Sequence, residues 1–451
     1  MSQTRLTEGS VLKTLLRFAL PFLLANVLQS LYGAVDLFVV GQYCSAESVA
    51  AVSTGTQVTQ IITSLITGLT LGSTILIGEH TGAGRQEQVR RTIGTTLTAF
   101  AAVAIALMIA MLAFLKPLLT LLRTPAESFE LTARYVSICA MGNLFICGYN
   151  AISAILRGCG DSTRPMYFVG IACALNIAMD FLFVRFCGLG VGGTALATVL
   201  AQAFSMVFAI AYLKKKQFLF DFRPASFRPD GQIIQKLMRV GIPISLQELM
   251  VRVSFLYLTA VMNGCGVYAA SVVGISSKYD VFAMLAGTSM ANALAAITAQ
   301  NMGANRPERA RKSLVYGTGF ALCVAFLFWL WAQLSPQSMI GVFSADPGVI
   351  DAGVPFFRSC SYDYMLVTIV FCLNGYLNGR QKTLWTMVSC SGGALLLRMP
   401  LVYWFGTHFA NDLGRLGMIA PAVSGIMACY TVAYVIYEGI QDGKQRAVPH
   451  R

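Results

Sequence analysis

Asp36 and Asp180 are carboxylates set inside long apolar runs, where an unpaired charge costs on the order of several kcal/mol and so needs a partner or a purpose. Asp36 follows Asn26, Gln29 and Gly33 at steps of three, four and three, which puts the four positions on one helical stripe. Asn176 precedes Asp180 by four residues, so the two share a helix face. Thr198 adds a hydroxyl from the next apolar run. Two carboxylates, an amide and a hydroxyl make a hard-oxygen set suited to a small cation, with Na+ the expected metal at Asp36, Asn176, Asp180 and Thr198. Paired acids also repel, which suits exchange of a proton.

A second group of charges lies in the apolar runs of the carboxy-terminal half: Glu248, Arg252, Lys278, Asp280, Asp363 and Arg398. Acids and bases balance there, and Glu248 and Arg252 stand four apart on one helix, so mutual neutralisation is expected, with a substrate or gating role as the alternative. Lys278 is the member without an obvious partner. Tyr32, Gln57, Tyr149 and Asn150 are amphipathic or polar positions in the first half and are candidates for lining a substrate cavity.

Two motifs resemble catalytic ones and are read otherwise. Gly158 to Asp161 spells GCGD, but flanking Arg157 and Arg164 mark a loop, and a turn accounts for it. Gly188, Gly190 and Gly193 satisfy G-x-G-x-x-G without a preceding strand, so they signal a tight turn and not a dinucleotide site. The 12 cysteines fall mostly in apolar stretches with no C-x-x-C pair, and with 3 histidines they offer no metal framework.

The elements that must position these residues follow from composition. With 56% hydrophobic and 12% charged residues and a mean hydropathy of +0.65, a bilayer is the solvent. Runs able to cross about 30 Å of hydrocarbon lie near 15–40, 52–78, 93–115, 133–156, 165–186 and 190–213. After a charged linker they resume near 240–263, 268–298, 314–334, 355–378, 383–405 and 416–437. The first run is too long for a signal peptide's apolar core and is expected to remain as a span. The expected fold is an all-α integral membrane protein of twelve helices: a lobe over 1–213, a cytoplasmic linker over 214–239 and a lobe over 240–451.

Placing the amino terminus in the cytoplasm gathers Lys214 to Lys216, Arg85, Arg90, Arg91, Arg306, Arg309, Arg311 and Lys312 on one side. Only Lys116, Arg123, Arg134, Arg185, Arg358 and Arg415 then face out, and both termini face in. A net charge of +13 gathered in loops argues against a nucleic-acid partner. Asp36 and Asp180 lie about 21 and 15 residues from the inner ends of their runs at about 1.5 Å per residue, so both fall in the outer half.

The halves repeat. GAGRQEQVRR at 82–91 recurs as GANRPERARK at 303–312, an offset of 221, and Pro21 maps to Pro243. Six crossings separate the copies, so they are parallel repeats about an axis along the membrane normal. Asp36, Asn176 and Asp180 map to Leu258, Leu397 and Leu401, which places the cation set in one half alone. No G-x-x-x-x-G-K-[ST] loop indicates an ATP-driven pump, no repeated filter segment indicates a channel, and no enzyme is expected.

Over nearly its whole length the chain resembles the multidrug and toxic compound extrusion (MATE) family, its DinF-like bacterial and archaeal members in particular. The resemblance rests on ALPFLLANVLQSLYGAVDLFVVG, GAGRQEQVRR, ILRGCGDSTRPM, ALNIAMDFLFV, GLGVGGTALATVLAQ, GIPISLQE, AQNMGANRPERARK and RMPLVYWF. It implies two six-helix lobes, export of cationic amphipathic drugs in exchange for Na+ or H+, and a cation site at Asp36, Asn176, Asp180 and Thr198. Second-lobe acids found in some members match Val251 and Val367 here, with Glu248 and Asp363 out of register, so a sodium site of that kind is not expected. A lipid-linked oligosaccharide flippase of the same superfamily is the alternative, and a non-transporting receptor or scaffold is a second. No cofactor beyond the coupling ion is expected, nor any partner beyond lipid and small cationic substrates. The chain is expected to act as a monomer in the inner membrane.

Overall fold

Each of the twelve apolar runs is helical in the computed structural model, which describes residues 6–122, 124–215, 220, 223–409 and 412–447. Lys216, most of the adjoining linker through residue 222, Arg123 and the extreme termini lie outside the described residues. Among the described residues there is no strand.

The first half comprises α1 (Val11–Tyr43), α2 (Ala46–Gly82), α3 (Gln86–Leu121), α4 (Ala126–Met141), α5 (Asn143–Gly158), α6 (Thr163–Asp180, continued by a π-helical segment Phe181–Phe186) and α7 (Gly190–Lys215). The second comprises α8 (Gly231–Gly264), α9 (Val267–Gly303), α10 (Pro307–Leu334), α11 (Pro336–Gly341), α12 (Pro347–Cys360), α13 (Tyr362–Gly379) and α14 (Thr383–Gly392), followed by a π-helical segment Gly393–Arg398. It ends with α15 (Met399–His408), α16 (Leu413–Gly417) and α17 (Ile419–Ala447).

Among the described residues, eleven helical stretches, some of them joining consecutive elements such as α12 and α13, are long and apolar enough to cross a membrane, and the twelfth candidate span is the pair α4 and α5, bent by 47°. The run expected to be one helix near 133–156 is therefore broken. Gly142 sits at the joint, where a Cβ would collide with Val199 of α7, so close packing against α7 and the missing side chain coincide at the bend.

The repeat is visible in backbone and packing. Gly84 (φ +70) and Asn305 (φ +59) occupy the same left-handed turn 221 residues apart, as do Gly160 (φ +89) and Gln381 (φ +62). Gly158 lets α5 approach α2, where a Cβ would lie 2.7 Å from Ile77. Its mate Gly379 does the same between α13 and α9, where a Cβ would lie 2.6 Å from Thr298, itself the mate of Ile77.

Two compact units result, one mainly Leu20–Ser245 and one mainly Leu246–Met302 with Arg306–Arg451. The division falls within α8, six residues beyond the linker's expected end at 239. Its first turns belong to the first unit because Ser245 donates from Oγ to the Leu65 carbonyl at 2.6 Å, and Gly68 leaves room for Gly241 and Ser245.

Candidate functional site

The first-half cation candidates come from three helices, Asp36 from α1, Asn176 and Asp180 from α6, and Thr198 from α7. The structure brings all four side chains together. Asp36 interacts with Asp180, Asn176 and Thr198, and Asn176 donates from Nδ2 to Thr198 Oγ1 at 3.4 Å. Asp36, Asn176 and Asp180 are 6%, 2% and 0% exposed, so none of them is solvated by bulk water.

Burial leaves these oxygens unsatisfied. Asp36 Oδ1, Asn176 Oδ1 and both carboxylate oxygens of Asp180 have no hydrogen-bond partner among the described residues. Buried polar atoms are normally paired, and bare carboxylate oxygens are the most costly exception. The groups acting most strongly on either carboxylate are the other acid and, for Asp36, Asn176 and Thr198. A proton shared between the acids, or a small cation held by carboxylate, amide and hydroxyl oxygens, would remove that cost. Among the described residues no group of three or more His, Cys, Asp or Glu side chains forms a further metal cluster.

Sequence reasoning missed Thr194 and Gln202. They stand one turn either side of Thr198 on α7, and Thr194 Oγ1 and Gln202 Oε1 are also buried without partners. Their spacing of four from Thr198 was the available signal. The π-helical segment that starts directly after Asp180 was not legible either. There Cys187 N–H bonds the Leu182 carbonyl at 3.0 Å, five residues back, and such insertions frequently mark functional positions.

The cavity candidates separate. Tyr32 lies within electrostatic range of Asp36 and Tyr149. Tyr149 packs its ring in an apolar cluster and donates its hydroxyl to the Pro165 carbonyl at 3.1 Å, and Asn150 donates to the Ile146 carbonyl at 2.9 Å. Gln57 is exposed on α2.

In the second unit, Leu258, Leu397 and Leu401 pack against one apolar cluster that contains Ile419, the mate of Thr198. The repeat-related positions thus carry an oxygen set in one half and hydrocarbon within an apolar core in the other. The second-unit charges form their own groups. Glu248 interacts with Arg252, and Asp280 with Asp363, Arg398, Tyr364 and Ser276. Lys278 is exposed and has no partner among the described residues.

The sequence profile of the MatE family matches residues 21–182 and 243–404, one match per half. The probable multidrug resistance protein YpnP of Bacillus subtilis is 25% identical over 91% of this chain and 91% of its own length. The probable multidrug resistance protein NorM of Thermotoga maritima is 25% identical over 91% of this chain and 89% of its own. An outward-facing multidrug resistance MATE transporter of the MOP superfamily superposes with a TM-score of 0.89 at 21% identity, over 97% of this chain and 98% of that one. A MOP superfamily transporter from Pyrococcus furiosus superposes with a TM-score of 0.88 at 21% identity, over 96% and 98%. With paired family matches spanning both halves and relatives aligned end to end, this chain belongs to the MatE family of multi-pass membrane transporters.

Proposed function

We propose that this protein exports cationic amphipathic compounds in exchange for Na+ or H+, with Asp36, Asn176, Asp180 and Thr198 as the coupling site. The observation that carries the reading is the set of buried, unpaired oxygens on Asp36, Asn176 and Asp180. Relatives named for multidrug resistance support the substrate class. The two acids load a cation from the outer face, which competes with a cationic drug for the same negative charge. Drug leaves as the ion enters, and return of the site to the inner face releases the ion. Antiport follows from that competition. The protein lies in the inner membrane with both termini in the cytoplasm, the orientation favoured by the loop charges.

Ethidium flux in proteoliposomes, driven separately by a sodium gradient and a pH gradient, tests the reading. Wild-type flux is expected to require one gradient, and Asp36→Asn and Asp180→Asn are expected to abolish the coupling. Flux indifferent to both gradients and to both substitutions would reject it and favour the flippase alternative.

A further inference from the structure

Beyond the acid pair, α1 and the π-helical segment of α6 meet a second time. Tyr43 follows Asp36 by seven residues, two α-helical turns, and Arg185 follows Asp180 by five, about one turn of a π-helix. Arg185 Nη1 donates to the Tyr43 hydroxyl at 3.1 Å, and its guanidinium lies 5.3 Å from the Tyr43 ring centroid. The Tyr43 ring also meets Phe181 edge to face at 6.3 Å. Between this contact and the acids each helix buries a valine, Val40 at 0% and Val184 at 5% exposure. The order from the site outward is acid pair, valine layer, then the Tyr43–Arg185 contact.

Without an ion or a shared proton, two carboxylates with bare oxygens push α1 and α6 apart. A contact joining the same two helices beyond the acids resists that separation. A π-helical turn is a natural place for slack, because loss of its extra residue would rotate Asp180 relative to everything beyond it.

We propose that Tyr43 and Arg185 form a positioning clamp that holds the acid-bearing helices at the separation one cation needs, and so sets the affinity of the site for the coupling ion. The clamp rests on the coupling role proposed above, yet touches no ion ligand. Its two halves act in opposite senses on a cation. Loss of the hydrogen bond loosens the site and weakens ion binding, whereas loss of the Arg185 charge alone would remove a repulsion and strengthen it.

The test measures the ion concentration giving half-maximal ethidium flux, with maximal flux and half-saturating ethidium recorded alongside, for wild type, Tyr43→Phe, Arg185→Gln and Arg185→Lys. Ion-dependent thermal stabilisation of the purified proteins gives a second readout independent of flux. Tyr43→Phe and Arg185→Gln are expected to raise the half-maximal ion concentration about three- to tenfold, in the range of one lost intramolecular hydrogen bond at an exposed position, with maximal flux unchanged. Arg185→Lys is expected to fall between them and wild type. Half-maximal concentrations equal to wild type, or a lower value for Arg185→Gln with Tyr43→Phe unaffected, would overturn the clamp while leaving ion coupling intact. Wild-type protein indifferent to both ions would instead remove the coupling reading, and the clamp with it.

Discussion

Asn176 donates its amide nitrogen to Thr198 Oγ1, 3.4 Å away, while its Oδ1 stays buried without a hydrogen-bond partner among the described residues. The hydroxyl thus holds the amide in place next to Asp36, with which Asn176 also interacts. Asn176→Leu, the residue its mate Leu397 carries, is expected to raise the half-maximal coupling-ion concentration about tenfold, which corresponds to about 1.4 kcal/mol. Thr198→Val is expected to produce a smaller rise by freeing the amide to turn. Ion titrations of flux in proteoliposomes measure both, and an unchanged Asn176→Leu would remove that oxygen from the site.

Asp36, Asn176, Asp180 and Thr198 were legible because a charge or amide in an apolar run stands out, and a step of four names its face. Gln202 was less so, since a single polar residue near the middle of α7 reads equally well as a lipid-facing or a packed position. The bend at Gly142 coincides with close packing on Val199, a contact that no local pattern encodes. The interaction of Glu248 with Arg252 was readable from their step of four, whereas Lys278, counted in the expected balance of signs, stands exposed without a partner among the described residues. The grouping of Asp280 with Asp363 and Arg398 was not readable, because it joins residues more than 80 apart in the chain.

The paired left-handed turns predict a difference between substitutions at one residue. A Cβ at Gly84 would meet nothing within 4 Å, so any cost there comes from the backbone at φ +70. Gly84→Ala is expected to cost about 1 kcal/mol. Gly84→Asn is expected to cost distinctly less, because Asn305 holds the same conformation in the second half and Asn adopts it more readily. Thermal unfolding of the purified variants in detergent orders them, and equal losses would contradict a backbone origin.

Cysteine labelling tests the orientation. Cys187 is exposed in the short connection between the π-helical segment and α7, on the face proposed to be outside. Cys159, in the connection between α5 and α6, is buried, and burial pushes its thiol up to about 12, so little reactive thiolate exists near neutral pH. A membrane-impermeant maleimide added to intact cells is expected to give a signal lost in Cys187→Ser and unchanged in Cys159→Ser. A Cys187 signal seen only in inverted vesicles would reverse the orientation.

At the proposed cytoplasmic end of the second unit, Arg380 binds Glu438 at 3.2 Å and Asp442 at 2.8 Å, with its side chain 6% exposed. Lys382 reaches Glu438 at 3.0 Å and Arg311 reaches Asp442 at 2.9 Å, so both acids of α17 are shared between cations from α10 and the turn after α13. Removing the central cation leaves two partly buried carboxylates facing each other with only their peripheral partners, one of them 42% exposed. Arg380→Met is expected to cost about 3 kcal/mol of stability, the range for an acid stranded by loss of a buried partner. Arg380→Met combined with Glu438→Gln should recover part of that loss, because the stranded charge is gone. A double variant no more stable than Arg380→Met would mean that the guanidinium acts through packing on the Tyr376 ring, 5.8 Å from its carbon, and not through charge.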